Sequence, residues 1–168
     1  MEGSMAVIEE AHEEFAKIFG RKYDPWVEEY MTDDAEVVFF LQGAHGVTAR
    51  FAIQHMREKG LKVGMVRLRT IRPYPTDRVC EVLSKFKVVG VIETNMGLGS
   101  PSSGGVLYPD VCAALYEAKN KPLVISFMAG MGGEAIVLKE FYWMTEKMIA
   151  AQKRGKIEKR THWVGLEE

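Results

Sequence analysis

A chain of 168 residues with 47% apolar positions and a formal net charge of −1 can bury one sizeable core and carries no strong field of either sign. Its basic residues are scattered among acids, so the basic stripe of a nucleic-acid binder is missing, and no apolar run approaches the about 20 residues of a membrane-spanning helix. The two cysteines, Cys80 and Cys112, stand alone in helical patterns without a CxxC pair, which points to buried free thiols in a reducing, cytoplasmic setting rather than to ligands of zinc or an iron–sulfur cluster.

In chain order, the opening Met1-Glu2-Gly3-Ser4-Met5 is compatible with a cloning remnant ahead of a natural segment, in which case the chain is an excised piece of something longer. From Ala6 to Phe19, apolar side chains at Val7, Ile8, Ala11, Phe15, Ile18 and Phe19 recur at spacings of three and four, which predicts an amphipathic helix. Gly20 closes it. Residues 21–30 read as an irregular, aromatic-rich connector, because Pro25 disfavours helix at Asp24. Glu36–Leu41 is a β-rich run, uncharged after Glu36 and ending in Gln42-Gly43, and a helical pattern from Val47 to Lys59 follows. The unit then repeats with a strand at 63–68, a helix at 75–85 and a strand at 88–92. A helix at 108–119, a strand at 123–127 and a final helix from Glu134 to about Arg154 complete the pattern. Four strands alternating with helices predict an α/β, three-layer Rossmann-like fold, with an open, mainly parallel sheet and helices on both faces. The expected organisation is a helix and linker over 1–34, an α/β domain over 35–154 and a charged C-terminal arm over 155–168.

The central stretch is Val88 to Gly105. Its run Val88-Val89-Gly90-Val91-Ile92 has the composition of a strand buried on both faces, and the glycine-rich loop after Glu93 lies where open α/β sheets place their crevices. No catalytic signature accompanies it. Gln42-Gly43-Ala44-His45-Gly46 lacks the full GxGxxG spacing, no GxxxxGK[ST] occurs, and Ser100, Ser102 and Ser103 have no GxSxG elbow. His12, His45, His55 and His162 show no metal-binding spacing. The candidate interface or crevice residues are Arg72, Pro73, Tyr74, Asn95, Met96, Gly97, Gly99, Gly104 and Gly105. Arg72, held by the rigid corner that Pro73 and Pro75 form after it, has a planar fork suited to a carboxylate or to paired carbonyls.

The segment Val63-Gly64-Met65-Val66-Arg67-Leu68-Arg69-Thr70-Ile71-Arg72-Pro73-Tyr74-Pro75 resembles the C-terminal domain of the alpha subunit of pyruvate (2-oxoacid):ferredoxin oxidoreductases. Collinear pieces agree: 15–23 with the linker entering that domain, 34–38 with its first strand, and Val91-Ile92-Glu93 with Gly97, Gly99, Gly104 and Leu107 as central strand and loop. The resemblance implies a transketolase C-terminal-like fold in a multi-subunit, thiamine-diphosphate-dependent complex. Such a complex decarboxylates a 2-oxoacid oxidatively, makes an acyl-coenzyme A and passes electrons through iron–sulfur clusters to ferredoxin. In the family, other domains hold the pyrimidine and the magnesium diphosphate of the cofactor. The resemblance therefore implies no catalytic, cofactor-binding or metal residue here, partners among the other subunits, and only an indirect tie to ferredoxin. An independent ligand-binding module using the crevice is the alternative. An apolar patch of Tyr23, Trp26, Tyr30, Met96 and Leu98 is expected to drive self-association of the isolated chain.

Overall fold

The computed structural model describes residues 2–100 and 104–166. The chain runs α1 (Glu2–Phe19), β1 (Val27–Tyr30), β2 (Val37–Gln42), α2 (His45–Glu58), β3 (Val63–Leu68), α3 (Thr76–Leu83), β4 (Val88–Glu93), α4 (Leu107–Ala114), β5 (Leu123–Met128), α5 (Leu138–Arg154) and β6 (Thr161–Trp163). The strands form one sheet in the order β1-β3-β2-β4-β5-β6. All neighbours are parallel except β1, which pairs antiparallel with β3.

Period-two alternation along uncharged strands divides the core in two. From β2, Val37, Phe39 and Leu41 face α2 and α5, where Ile53, Met56, Phe141, Met144 and Met148 meet them. Val38 and Phe40 point the other way, toward Val79, Val82 and Leu83 of α3 and Leu107 and Val111 of α4. Both Phe39 and Phe40 are fully buried, each stabilising the fold by roughly 1.5–3 kcal/mol through the apolar area it removes from water. Met5 and Ile8 of α1 pack on the second core. The sheet is therefore covered on both faces, as the alternating pattern predicts.

The elements differ from expectation at both ends of the chain. The segment 21–30, read as an irregular connector, contains β1, in which Val27 pairs with Leu68 and Glu28 with Arg67. Two glutamates in a four-residue strand hide the β signal, and the pairing is supported by charge: Arg78 reaches Asp24 at 2.8 Å, Glu29 at 3.2 Å and Glu81 at 2.9 Å, pinning the strand's entry to α3. Asp24 also accepts the amides of Trp26 at 2.8 Å and Val27 at 3.0 Å. Burial raises the Asp24 carboxyl, but these amides and Arg78 more than offset it, so its pKa lies below the usual value. The charged arm expected after Gly155 contains β6, whose three residues add to the edge of β5. His162 stacks on Phe127 at 5.7 Å and meets Trp143 edge-on at 5.5 Å, contacts that no three-residue periodicity announces. The last helix starts at Leu138, not Glu134, because Gly130, Gly132 and Gly133 take left-handed φ values of 71°, 69° and 87° and turn the chain first. Its first turn is then capped by Glu140, which accepts the Val137 amide at 2.9 Å.

Gly64 lies where β3 passes the turn after β1. A Cβ there would stand 2.6 Å from the carbonyl oxygen of Met31, and that carbonyl is held by Arg57 Nη2 at 2.6 Å. Because the obstacle is anchored backbone, Gly64→Ala is expected to cost about 1–3 kcal/mol, measured as a shift in the urea midpoint without a change in slope.

Candidate functional site

The parallel strands end on one edge, where four connections gather. After β2 comes 43–44, after β3 69–75, after β4 94–106 and after β5 129–137. The chain leaves β2 through α2 to β3 on one side and then crosses through α3 to β4 on the other, so the strand order reverses between β2 and β4. Such a reversal splays the adjacent loops and opens a crevice. Here it has a volume of about 400 Å³ and is lined by Gln42, Gly43, Ala44, His45, Arg69 and Thr94 among others.

Glu93, the last residue of β4, organises the side of this edge toward α4. It is 3% exposed, and its two carboxylate oxygens accept the first amides of α4, Leu107 N–H at 2.5 Å and Tyr108 N–H at 3.0 Å. A helix terminus leaves such donors without partners, so the carboxylate satisfies them and meets the positive end of the dipole. Desolvation of the buried charge dominates these contacts and raises the Glu93 pKa above 4.5. Gly105 allows the approach: a Cβ would sit 2.6 Å from the Glu93 carboxyl carbon and 2.6 Å from the Asn95 carbonyl oxygen.

The glycine-rich loop closes on itself. Asn95 Oδ1 accepts the Val106 amide at 3.0 Å, the Gly97 amide donates to Gly104 O at 3.1 Å, and Ser100 Oγ donates to the same carbonyl at 2.6 Å. Asn95, Gly97, Gly104 and Gly105 are thus gathered into one structure, with Gly99 at φ 75° on its turn. Met96 and Leu98 project outward, Leu98 88% exposed. Ser102 and Ser103 lie outside the described residues.

Arg72, Pro73 and Tyr74 sit elsewhere on the edge. The Arg72–Pro73 peptide is cis, and the guanidinium reaches Asp110 of α4 at 2.8 Å while donating to Ile71 O at 2.6 Å. With Met5, Glu9 and Trp26 these three residues line a separate cleft of about 670 Å³ between α1 and α3. The Tyr74 hydroxyl is buried without a hydrogen-bond partner, and burial, reinforced by Asp110, pushes its pKa well above 10. The apolar patch expected from five residues is not continuous. Trp26 is 6% exposed, in the core, with its indole donating to Glu9 at 3.2 Å, and Tyr30 packs half-buried against the opposite core. Tyr23, Met96 and Leu98 remain exposed.

Two features escape a sequence reading. Glu93 is visible only as the charge that stops an apolar run. The other is Glu28, whose carboxylate is met by three guanidiniums: Arg50, Arg67 and, at 3.7 Å, Arg69. The alternation Arg67-Leu68-Arg69 is the available signal, since period two carried one residue past the end of β3 puts both arginines on one side of the chain.

Glu93 generates a pH prediction. Because its folded pKa is raised, the folded state binds the proton more tightly, so its contribution to stability is complete below about 4.5 and is lost as pH rises through the folded value. Glu93→Gln should abolish that slope while costing about 1–3 kcal/mol, since an amide nitrogen would face one of the α4 donors. Urea titrations of both proteins across this window provide the check; parallel curves would contradict the assignment.

Residues 35–141 match the family model for the pyruvate:ferredoxin oxidoreductase core domain II. The pyruvate synthase subunit PorA of Pyrococcus abyssi is 38% identical over 166 residues, covering 99% of this chain and 41% of that one. The alpha subunit of the NADH-dependent phenylglyoxylate dehydrogenase of Aromatoleum evansii is 33% identical over 138 residues, 82% of this chain and 33% of its own. Among solved structures, the 2-oxoglutarate:ferredoxin oxidoreductase from Magnetococcus marinus superposes with a TM-score of 0.55 at 18% identity, covering 80% of this chain and 21% of that one, a likeness of fold. The chain therefore spans about two fifths of the length of PorA. With the matched region running from β2 into α5 and the strand order and two-sided core described above, the chain belongs to the pyruvate:ferredoxin oxidoreductase core domain II family.

Proposed function

We propose that this chain is a non-catalytic assembly domain of a thiamine-diphosphate-dependent 2-oxoacid:ferredoxin oxidoreductase, acting in the cytoplasm. The observation that carries the reading is the 38% identity to PorA across nearly the whole chain, combined with a span of only 41% of that subunit. The complex would convert a 2-oxoacid, coenzyme A and two oxidised ferredoxins into an acyl-coenzyme A, carbon dioxide, two reduced ferredoxins and a proton. Thiamine diphosphate, magnesium and iron–sulfur clusters belong to its other parts. The donor set here does not fit an iron–sulfur cluster: among the described residues no three His, Cys, Asp or Glu side chains come together as a metal site. Cys80 and Cys112 lie on separate helices, both partly buried, and burial raises the Cys112 thiol, which disfavours the thiolate that a cluster requires. On this reading the glycine-rich loop and the Arg72 corner are contact surfaces for neighbouring subunits, and the isolated chain self-associates through exposed apolar groups such as Leu98.

Calorimetry tests the assignment. Thiamine diphosphate with magnesium should bind the isolated chain no more tightly than magnesium pyrophosphate does, and the chain should co-purify with the remaining subunits when they are expressed together. Binding of the cofactor by the chain alone that is much tighter than that of pyrophosphate, or failure to associate, would overturn the reading. Arg72→Lys keeps the charge but loses the fork, so co-purification should weaken while the melting temperature moves little. The half-exposed pair with Asp110 is itself worth at most about 1 kcal/mol.

A further inference from the structure

Three guanidiniums converge on one carboxylate beside the crevice where the strand order reverses. Glu28 of β1 lies opposite Arg67 of β3 in the antiparallel pair, so the two side chains share a face of the sheet. Arg69 follows two residues later on the same face and lines the crevice, with its amide fixed to Trp26 O at 2.8 Å. Arg50 reaches the same carboxylate from α2. Arg67 is folded against the first turn of α2: a Cβ at Gly46 would stand 2.5 Å from its Cδ and 3.2 Å from Nη1, so glycine there lets the guanidinium lie under the helix. Glu28 neutralises only one of the three charges. The excess is held in place by rings, Arg50 over Tyr30 at 4.6 Å and Arg69 over Tyr23 at 5.4 Å.

Three partly exposed guanidiniums around a single buried carboxylate leave hydrogen-bond donors facing solvent, with side-chain exposures of 43%, 26% and 29% for Arg50, Arg67 and Arg69, and of the three Arg69 lines the crevice. The acid lining the crevice, Glu93, offers little opposition. Both of its oxygens are occupied by the α4 amides. The volume, about 400 Å³, falls within the range of small-molecule sites. Guanidinium forks match phosphate oxygens bidentately and lose little entropy in doing so.

We propose that this crevice binds a phosphate-bearing small molecule, with Arg69 contacting the phosphate and Arg50 and Arg67 supplying the surplus positive charge. The site is independent of the assembly role, because its ligand is held by this chain alone.

The test is calorimetric titration of the isolated chain with inorganic pyrophosphate, with citrate as a carboxylate competitor. Saturable binding is expected, weakening as salt rises, with affinity lowered about tenfold or more in Arg69→Gln and by less in Arg69→Lys, which keeps charge without the fork. Circular dichroism establishes that each variant is folded; if Arg69→Gln is not, Arg50→Gln takes its place and is expected to lower affinity as well. Arg154→Gln, a surface arginine at the far end of α5, should bind as the parent does. Absence of saturable heat at millimolar pyrophosphate, equal affinity in the Arg69 variants, or an equal loss in Arg154→Gln would overturn the site. Citrate binding as tightly as pyrophosphate would overturn the phosphate class. None of these readouts involves other subunits, so a negative result here leaves the assembly reading intact, and a failed co-purification leaves the site intact.

Discussion

The contact on which the carboxyl edge depends is the grip of Glu93 on the first amides of α4. A buried carboxylate is costly, and here two hydrogen bonds and the helix dipole offset only part of that cost, which is why burial still raises the Glu93 pKa. The bond fixes more than a helix end. Since α4 covers one face of the sheet and carries Asp110, its position also sets the carboxylate that Arg72 meets. The glycine-rich loop bridges Glu93 and α4, so its shape follows from the same anchor, and Gly105 is required because no side chain fits between carboxyl and loop.

Elsewhere the structure uses arginine as a multi-armed clasp. Arg57 donates to Val63 O at 2.7 Å, to Met31 O at 2.6 Å and to Asp34 at 2.5 Å, fastening the turn after β1 to β3. Arg78 does the same for the entry of β1 with three carboxylates. In both cases one guanidinium serves several acceptors from segments far apart in sequence. The Glu28 cluster inverts this ratio, with three guanidiniums on one acceptor.

The central sheet was legible because its strands are uncharged, β-branched and buried on both faces, as in Val88–Ile92, so composition alone identifies them. The helices of the crossovers were legible from spacing. The edge strands were not: Val27–Tyr30 is half acidic and Thr161–Trp163 is three residues long, and both exist because a neighbouring strand offers unpaired backbone. Gly130, Gly132 and Gly133 did carry the signal for the late start of α5, since three glycines in four positions favour a turn over a helix. The loop residues Asn95, Gly97, Gly104 and Gly105 were found together because glycine marks close backbone approach. Glu93 and Glu28 were not, since their partners arrive from other elements and a single carboxylate has no pattern.

The placement of the two edge strands has a mechanical consequence. β1 and β6 are the outermost strands on opposite edges, so every strand of the sheet lies between them, a width of about 24 Å at ordinary strand spacing. A load applied through the first and last segments therefore crosses the whole hydrogen-bonded ladder instead of being shorted through one hairpin. The domain would transmit tension as a plank does, along its full width, and the weakest plank joint is the three-residue pairing of β6 with β5.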